Sequence, residues 1–399
     1  MSLLLDSLFS SVALSHLMVD VFNSARPVLL TYLGLSETQI ALITTIYIWA
    51  SALTQPLFGW LSDRIGPRWL AAGGVLWMTI FFAGAVYMPG AGGLFCLIVA
   101  AFGSSSFHPV GTAQATLQGR ILLKGRDTTS TSLFFMAGQI GHFLGPILTG
   151  LILAWRGLHW LVILSVVSIP IGFSLAYQLR HNHPHPKPKH DDGRIRLQAG
   201  IGFVVILAAV ATLQSWAQSN MIAFVPKYIN DLGQNPITYG YIAGLFMGGS
   251  ALGNVIGGHL GDKFSKRKVA ATALFLAAFP TFIISQVGWT PWLYLLIPLA
   301  GACTGAVHSI MVVLAQRSIS GGMALASGLI LGFIFSAGAL GLLITGPLAE
   351  NYGFPTVLMM TTGLVLLAAP LAWMLREKSQ PMLEMATQMQ IVETSDSPL

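Results

Sequence analysis

Long apolar runs separated by short polar joints make up most of the chain. Twelve runs can be marked, at residues 7–33, 37–61, 70–89, 92–117, 128–154, 158–180, 198–229, 236–260, 269–288, 291–317, 322–349 and 354–375. Each is close to or above the ~20 residues a helix needs to cross a bilayer, and none alternates as a barrel strand would. The pattern predicts an all-α integral membrane protein with twelve transmembrane helices in two six-helix bundles. An even number of crossings puts both termini on one side of the membrane.

One internal polar stretch is long. It contains His181, His183, His185 and His190 among prolines and lysines. Prolines predict an extended linker. The histidines lack cysteine companions and ordered ligand spacing, so no metal is expected there. The expected organisation is an N-terminal bundle at 1–180, a linker at 181–197, a C-terminal bundle at 198–376 and a disordered tail at 377–399.

Composition agrees. The chain is 54% hydrophobic and 9% charged, against about 25% charged in soluble domains. Its 43 glycines suit close helix packing in lipid. Cys96 and Cys303 lie inside apolar runs and read as small hydrophobes. The first residues carry no basic segment and no small-residue cleavage site, so the first span is expected to stay.

The net charge of +6 reflects topology. Arg64, Arg68, Arg120, Lys124, Arg126, the linker cations, Lys263, Lys266, Arg267, Lys268, Arg317, Arg376 and Lys378 all fall in joints on the side of the termini. By the positive-inside rule that side is cytoplasmic, and nucleic-acid binding is not expected. The loops hold no phosphate-binding loop and no Ser/His/Asp constellation. ATP drive, enzymatic activity and a cofactor are therefore not expected.

The two halves repeat each other. Gly59-Trp-Leu-Ser-Asp63-Arg64-Ile-Gly66-Pro-Arg68 recurs about 200 residues later as Gly258-His-Leu-Gly-Asp262-Lys263-Phe-Ser-Lys-Arg267. Gly145-Pro146 recurs as Gly346-Pro347, and His108 as His308. Corresponding spans run in the same direction, so the repeat is parallel about an axis along the membrane normal. The sequence resembles the major facilitator superfamily, whose signature is this loop after the second helix with a degenerate echo after the eighth. The resemblance implies two bundles that rock around a central cavity. Leu14-Ser-His16-Leu-Met-Val-Asp20 and Gly103-Ser-Ser-Ser-Phe107-His108-Pro109 are similar to the fosmidomycin-resistance branch of proton-driven exporters. That branch often carries an acid after His-Pro, where this chain has Val110, so no coupling role is placed there. The resemblance further implies a multi-pass protein of a bacterial inner membrane.

The loop signature has a physical reading. Asp63 can accept hydrogen bonds from the free N–H groups at the start of a neighbouring helix. The resemblance points to the eleventh helix as that neighbour. Gly59, Asp63, Arg64, Gly66 and Arg68, with Asp262 and Lys263, are the gating candidates. Gly141, Gly145 and Pro146 resemble the superfamily's antiporter motif. With Gly346 and Pro347 they predict helix bending and a tight seam, because proline removes a helix hydrogen bond and glycine permits close approach.

Ionisable residues inside the spans mark the expected cavity, since a charge in a bilayer costs at least a few kcal/mol. Asp20 is the one carboxylate placed mid-span, and His16 lies one turn before it on the same face. These two are the proton-coupling candidates, with a permanent Asp20–Arg26 pair as the structural alternative. Arg26, Asn23, His108, Gln139, His142, Gln214, Gln218 and His308 are the substrate-binding candidates. Apart from Asp20 this set is basic or neutral, which favours an anionic or strongly polar substrate. The expected function is a proton-coupled antiporter that exports a small polar or anionic compound or drug. A symporter importing a sugar or organic acid and a lipid flippase are the alternatives. The expected partners are a small-molecule substrate, protons and membrane lipids around a monomer.

Overall fold

The computed structural model describes residues 5–122, 127–181, 196–197, 199–316, 318–320 and 323–375. The helices are α1 (Ser7–Tyr32), α2 (Glu37–Ala52), α3 (Gln55–Ile65), α4 (Pro67–Tyr87), α5 (Gly90–Leu122), α6 (Asp127–Arg156) and α7 (Val162–Gln178) in the first half. The second half holds α8 (Ile201–Asp231), α9 (Pro236–Lys263), α10 (Lys266–Gln286), α11 (Leu293–Gly305), α12 (His308–Gln316) and α13 (Met323–Met374). Two-residue strands β1 (Arg196–Leu197) and β2 (Ile319–Ser320) pair antiparallel, Arg196 opposite Ser320. Most of the linker and the tail from residue 376 lie outside the described residues.

Among the described residues, ten segments are long and apolar enough to cross a membrane. The last of these, Gly332–Met374, is two helices joined at Gly353, whose φ of 79° and ψ of 165° are not helical. The positive φ is a conformation that a side chain would strain. α9 is a further helix of 28 residues whose glycines and polar residues lower its hydropathy. Ten segments therefore meet the requirement of length and hydropathy, against the twelve crossings expected; dividing the last at Gly353 and counting α9 makes up the difference in helices of membrane-spanning length.

The helix breaks lie away from the two Gly-Pro pairs. α6 continues through Gly145-Pro146, and α13 continues through Gly346-Pro347. The breaks lie at Leu53–Thr54, between α2 and α3, and at Ala306–Val307, between α11 and α12. The glycines are contact surfaces. A Cβ on Gly141 would strike the Leu17 carbonyl, and one on Gly145 would strike Ser24 Oγ and the Val21 carbonyl, so α6 lies directly on α1. The neighbouring helices supply the packing partners that keep a proline-containing helix continuous in lipid.

We call the end that carries the termini proximal and the opposite end distal. The close seams between the halves lie distally or at mid-height among the described residues. Gly150 of α6 abuts Pro236 and Gly240 of α9. A Cβ on Gly346 of α13 would lie 2.6 Å from Ala41 Cβ of α2. One contiguous apolar core crosses this seam, from Val28 and Leu29 to Phe224 and Ile229. A second fills the proximal part of the later half around Val210, Leu274 and Ala368.

Candidate functional site

A cavity of about 360 Å³ lies between the halves, beneath the distal seam. Its walls differ chemically. The first half contributes Asp20, Arg26, His16, His108, His142, Asn23 and Gln139. The second half contributes Met221, Phe246, Met247, Phe335 and Leu342, with Gln218, Asn254 and His308 as polar points and no formal charge.

Asp20 is the centre of the polar wall. It is 3% exposed in the middle of α1. His16 Nε2 lies 3.2 Å from Asp20 Oδ2, as the one-turn spacing within a helix dictates. His108 Nε2, from α5, lies 3.5 Å from Oδ1. His142 Nε2, from α6, lies 3.5 Å from Oδ2. Asn23 Nδ2 donates to Oδ1 at 2.9 Å. Three imidazoles from three helices therefore surround one carboxylate.

The backbone fixes two of these rings. His16 Nδ1–H donates to the Phe134 carbonyl at 2.8 Å, and its ring stacks on Phe134 with centroids 4.0 Å apart. His108 Nδ1–H donates to the Ser104 carbonyl at 2.8 Å. A carbonyl oxygen only accepts, so in each neutral ring the free lone pair is on Nε2 and faces Asp20. A lone pair facing an ionised carboxylate is repulsive. The contacts close when a proton sits between them, on an imidazole or on the carboxyl. The arrangement can thus take up a proton at the centre of the membrane-spanning region.

Arg26 lies six residues beyond Asp20, about 9 Å further along the helix axis. No ion pair joins the two among the described residues, so the permanent-pair alternative is not what the structure contains. The guanidinium sits over the Tyr47 ring, 4.2 Å from its centroid. Tyr47 Oη donates to Asn23 Oδ1 at 2.6 Å, and Asn23 donates in turn to Asp20. A relay of polar contacts therefore runs from the cation to the acid. Among the described residues, three that line the cavity also carry a buried polar atom with no hydrogen-bond partner: Arg26 Nε, Thr44 Oγ1 and His142 Nδ1. Buried polar atoms without partners are costly, so the wall that holds them is under polar strain.

The remaining candidates divide. Gln139, Gln218 and His308 line the cavity. His308 starts α12 at the helix break, beside Phe335, whereas its counterpart His108 lies inside the unbroken α5. Gln214 does not line the cavity. It donates to the Thr304 carbonyl at 3.0 Å and to Gln218 Oε1 at 2.8 Å, so it holds Gln218 from behind.

At the proximal loops, Gly66 has a φ of 92° and joins α3 to α4. Gly59 faces Pro109, at 3.6 Å from a built Cβ. Arg64 stacks on Trp60 and Arg68 Nε donates to the Ala176 carbonyl at 2.9 Å, so the described contacts of both cations are not to acids. Lys263 is exposed beside Phe264. The side chains of Asp63 and Asp262 lie outside the described residues.

Charged residues at the distal helix ends form a latch between the halves. Glu350 of α13 accepts from Ser36 Oγ at 3.1 Å and from the Thr38 N–H at 3.2 Å, at the N-terminus of α2. Lys227 of α8 lies 3.4 Å from Glu37 of α2 and 2.6 Å from Asp231. The signal available in sequence was a capping serine, Ser36, with charges at matching distal ends. Nothing in the pattern paired them across the halves.

A family model described as Major Facilitator Superfamily matches residues 8–211 and again 204–388. The chain belongs to the major facilitator superfamily. It is accordingly a multi-pass membrane transporter of small molecules and not an enzyme. Within the superfamily it is 27% identical over 361 residues to the Fosmidomycin resistance protein of Escherichia coli (strain K12), covering 86% of each chain. It is 24% identical over 366 residues to an uncharacterized transporter of the superfamily from Bacillus subtilis (strain 168), covering 87% of this chain and 88% of that one. A bacterial homologue of the human lysosomal transporter Spinster, solved in an inward-facing and occupied conformation, shares the fold. Its TM-score is 0.74 at 14% identity, covering 94% of this chain and all of that one.

Proposed function

We propose that this superfamily member is a proton-coupled antiporter that exports small polar or anionic compounds across a bacterial inner membrane. One observation carries the reading: a carboxylate ringed by three imidazoles lines the same cavity as a buried arginine. Protonation at Asp20 changes the charge of the polar wall by one unit. Through Asn23 and Tyr47 that change reaches the Arg26 side of the cavity, where an anionic group gains most. A proton taken up at Asp20 and a substrate held by Arg26 would each favour a different bundle arrangement, which is the requirement for exchange. The groups facing Asp20 are His16 on its own helix, His108 on α5 and His142 on α6, with Arg26 and Tyr47 beyond Asn23.

The similarity to a protein named for fosmidomycin resistance supports export and a polar drug-like substrate. The distal closure supports a cavity reached from the proximal, cytoplasmic side, as substrate loading before export requires.

Flux in inverted membrane vesicles under an imposed pH gradient tests the proposal, with fosmidomycin as the probe. The expected result is substrate uptake into the vesicles driven by an acidic interior. Asp20→Asn should retain substrate binding and lose dependence on the gradient. Gradient-driven uptake that survives unchanged in Asp20→Asn would remove the coupling role. Flux that runs only in the opposite direction would favour the importing symporter.

A further inference from the structure

The same polar wall has a second chemical capacity, for a metal ion rather than a proton. We infer that His16, His108 and Asp20 form a binding site for a divalent transition-metal ion of the zinc class, with His142 flanking it. One oxygen or nitrogen donor atom from each of the three residues lies within 4.8 Å of the other two. In a tetrahedral zinc site with bonds of about 2.0–2.1 Å, neighbouring ligand atoms are about 3.3 Å apart. Each imidazole stands at about this separation from one carboxylate oxygen, His16 Nε2 at 3.2 Å from Oδ2 and His108 Nε2 at 3.5 Å from Oδ1.

The outer contacts carry the inference furthest. A metal-binding histidine typically donates its other ring N–H to a carbonyl or carboxylate, which fixes the tautomer and aims the lone pair at the ion. His16 does this with the Phe134 carbonyl and His108 with the Ser104 carbonyl. Both rings therefore present a free Nε2 to the Asp20 carboxylate, His16 at Oδ2 and His108 at Oδ1. His142 Nε2 stands 3.5 Å from the same carboxylate, and its Nδ1 is buried without a partner. Imidazole and carboxylate donors without thiolate suit Zn²⁺, Ni²⁺ and Co²⁺ over softer ions. Arg26 opposes a cation in this cavity, but its guanidinium is drawn to the Tyr47 face.

The site is tested by equilibrium binding to the purified full-length protein in detergent. Co²⁺ is the spectroscopic probe and Zn²⁺ the competitor. The linker histidines are also metal donors, so the test uses a His181→Gln, His183→Gln, His185→Gln, His190→Gln background. The expected result is one equivalent of Co²⁺ with visible bands of a low-coordinate nitrogen/oxygen site, displaced by Zn²⁺. Asp20→Asn and His16→Gln in that background should each weaken binding at least about tenfold, the lower bound for losing even an outer contact of a site. Size-exclusion profiles and unfolding midpoints verify that the variants are folded. His108→Gln provides a second ligand variant should either fail to fold. Absence of binding in the linker background, or binding undiminished by all folded ligand variants, would overturn the inference. The measurement involves no flux, so its outcome is separable from that of the exporter proposal.

Discussion

Asp20 shows how much of this protein's chemistry turns on side-chain placement within an ångström. Its contact with His16 depends on a residue that contributes no atoms to it, Gly138 of α6. A Cβ there would lie 2.5 Å from His16 Cε1 and 2.6 Å from Asp20 Oδ2. Gly138→Ala is therefore expected to push the imidazole and carboxylate apart. Overpacking of this kind costs typically about 1–3 kcal/mol. The expected readout is a lowered unfolding midpoint together with loss of gradient-driven flux. Gly73→Ala, which meets nothing within 4 Å, should change neither. Wild-type flux in Gly138→Ala would show that the close His16–Asp20 contact is dispensable. Sequence made His16 and Asp20 visible through their one-turn spacing. That His108 and His142 converge on the same carboxylate was not visible, because the rotation of α5 and α6 about their own axes is set by packing against α1.

At the scale of elements, the distal latch ties the start of α2 to α8 and α13. The α2 N-terminus carries unpaired N–H groups and the positive end of the helix dipole, and Glu350 meets both. Because the carboxylate comes from the other half, it stabilises α2 fully only while the distal end is closed. Glu350→Gln should weaken that closure. In a background without Cys96 and Cys303, a Thr44→Cys reporter on the cavity wall would then react faster with an impermeant thiol reagent applied from the distal side. Unchanged reactivity would leave Glu350 as a cap with no part in closure. The duplicated loop motif had drawn attention to the proximal end, where Gly66 turns α3 into α4 and Arg68 holds the end of α7. Capping charges a whole half-chain apart leave no local pattern, so the distal pairing could not be read from the sequence.

For the whole molecule, the close approach of α6 and α9 holds the halves together above the cavity. A Cβ on Gly240 would lie 2.6 Å from the Pro146 carbonyl and 2.9 Å from Gly150 Cα. Gly240→Leu should keep the distal seam from closing, raise distal labelling of the Thr44→Cys reporter and abolish exchange. The halves should stay folded, because the proximal core of the second half, around Val210 and Leu274, is untouched. Labelling equal to the parent would show that the seam can re-form around a leucine.

Class, the duplication and the family were legible in the sequence. These follow from hydrophobic length, from the bilayer's demand that every backbone group be satisfied within a helix, and from a motif repeated after half the chain. It also marked Asp20 as exceptional, because a mid-span carboxylate is costly in any arrangement of the helices. Tertiary structure alone decided what Asp20 touches. It separated Arg26 from the acid, turned Gln214 away from the cavity, chose which helices Gly145 and Gly346 lie against, and brought Glu350 to α2. Each of these outcomes depends on the depth and rotation of one helix against another. Those quantities are fixed by interlocking side chains and close glycine contacts between helices distant in the chain.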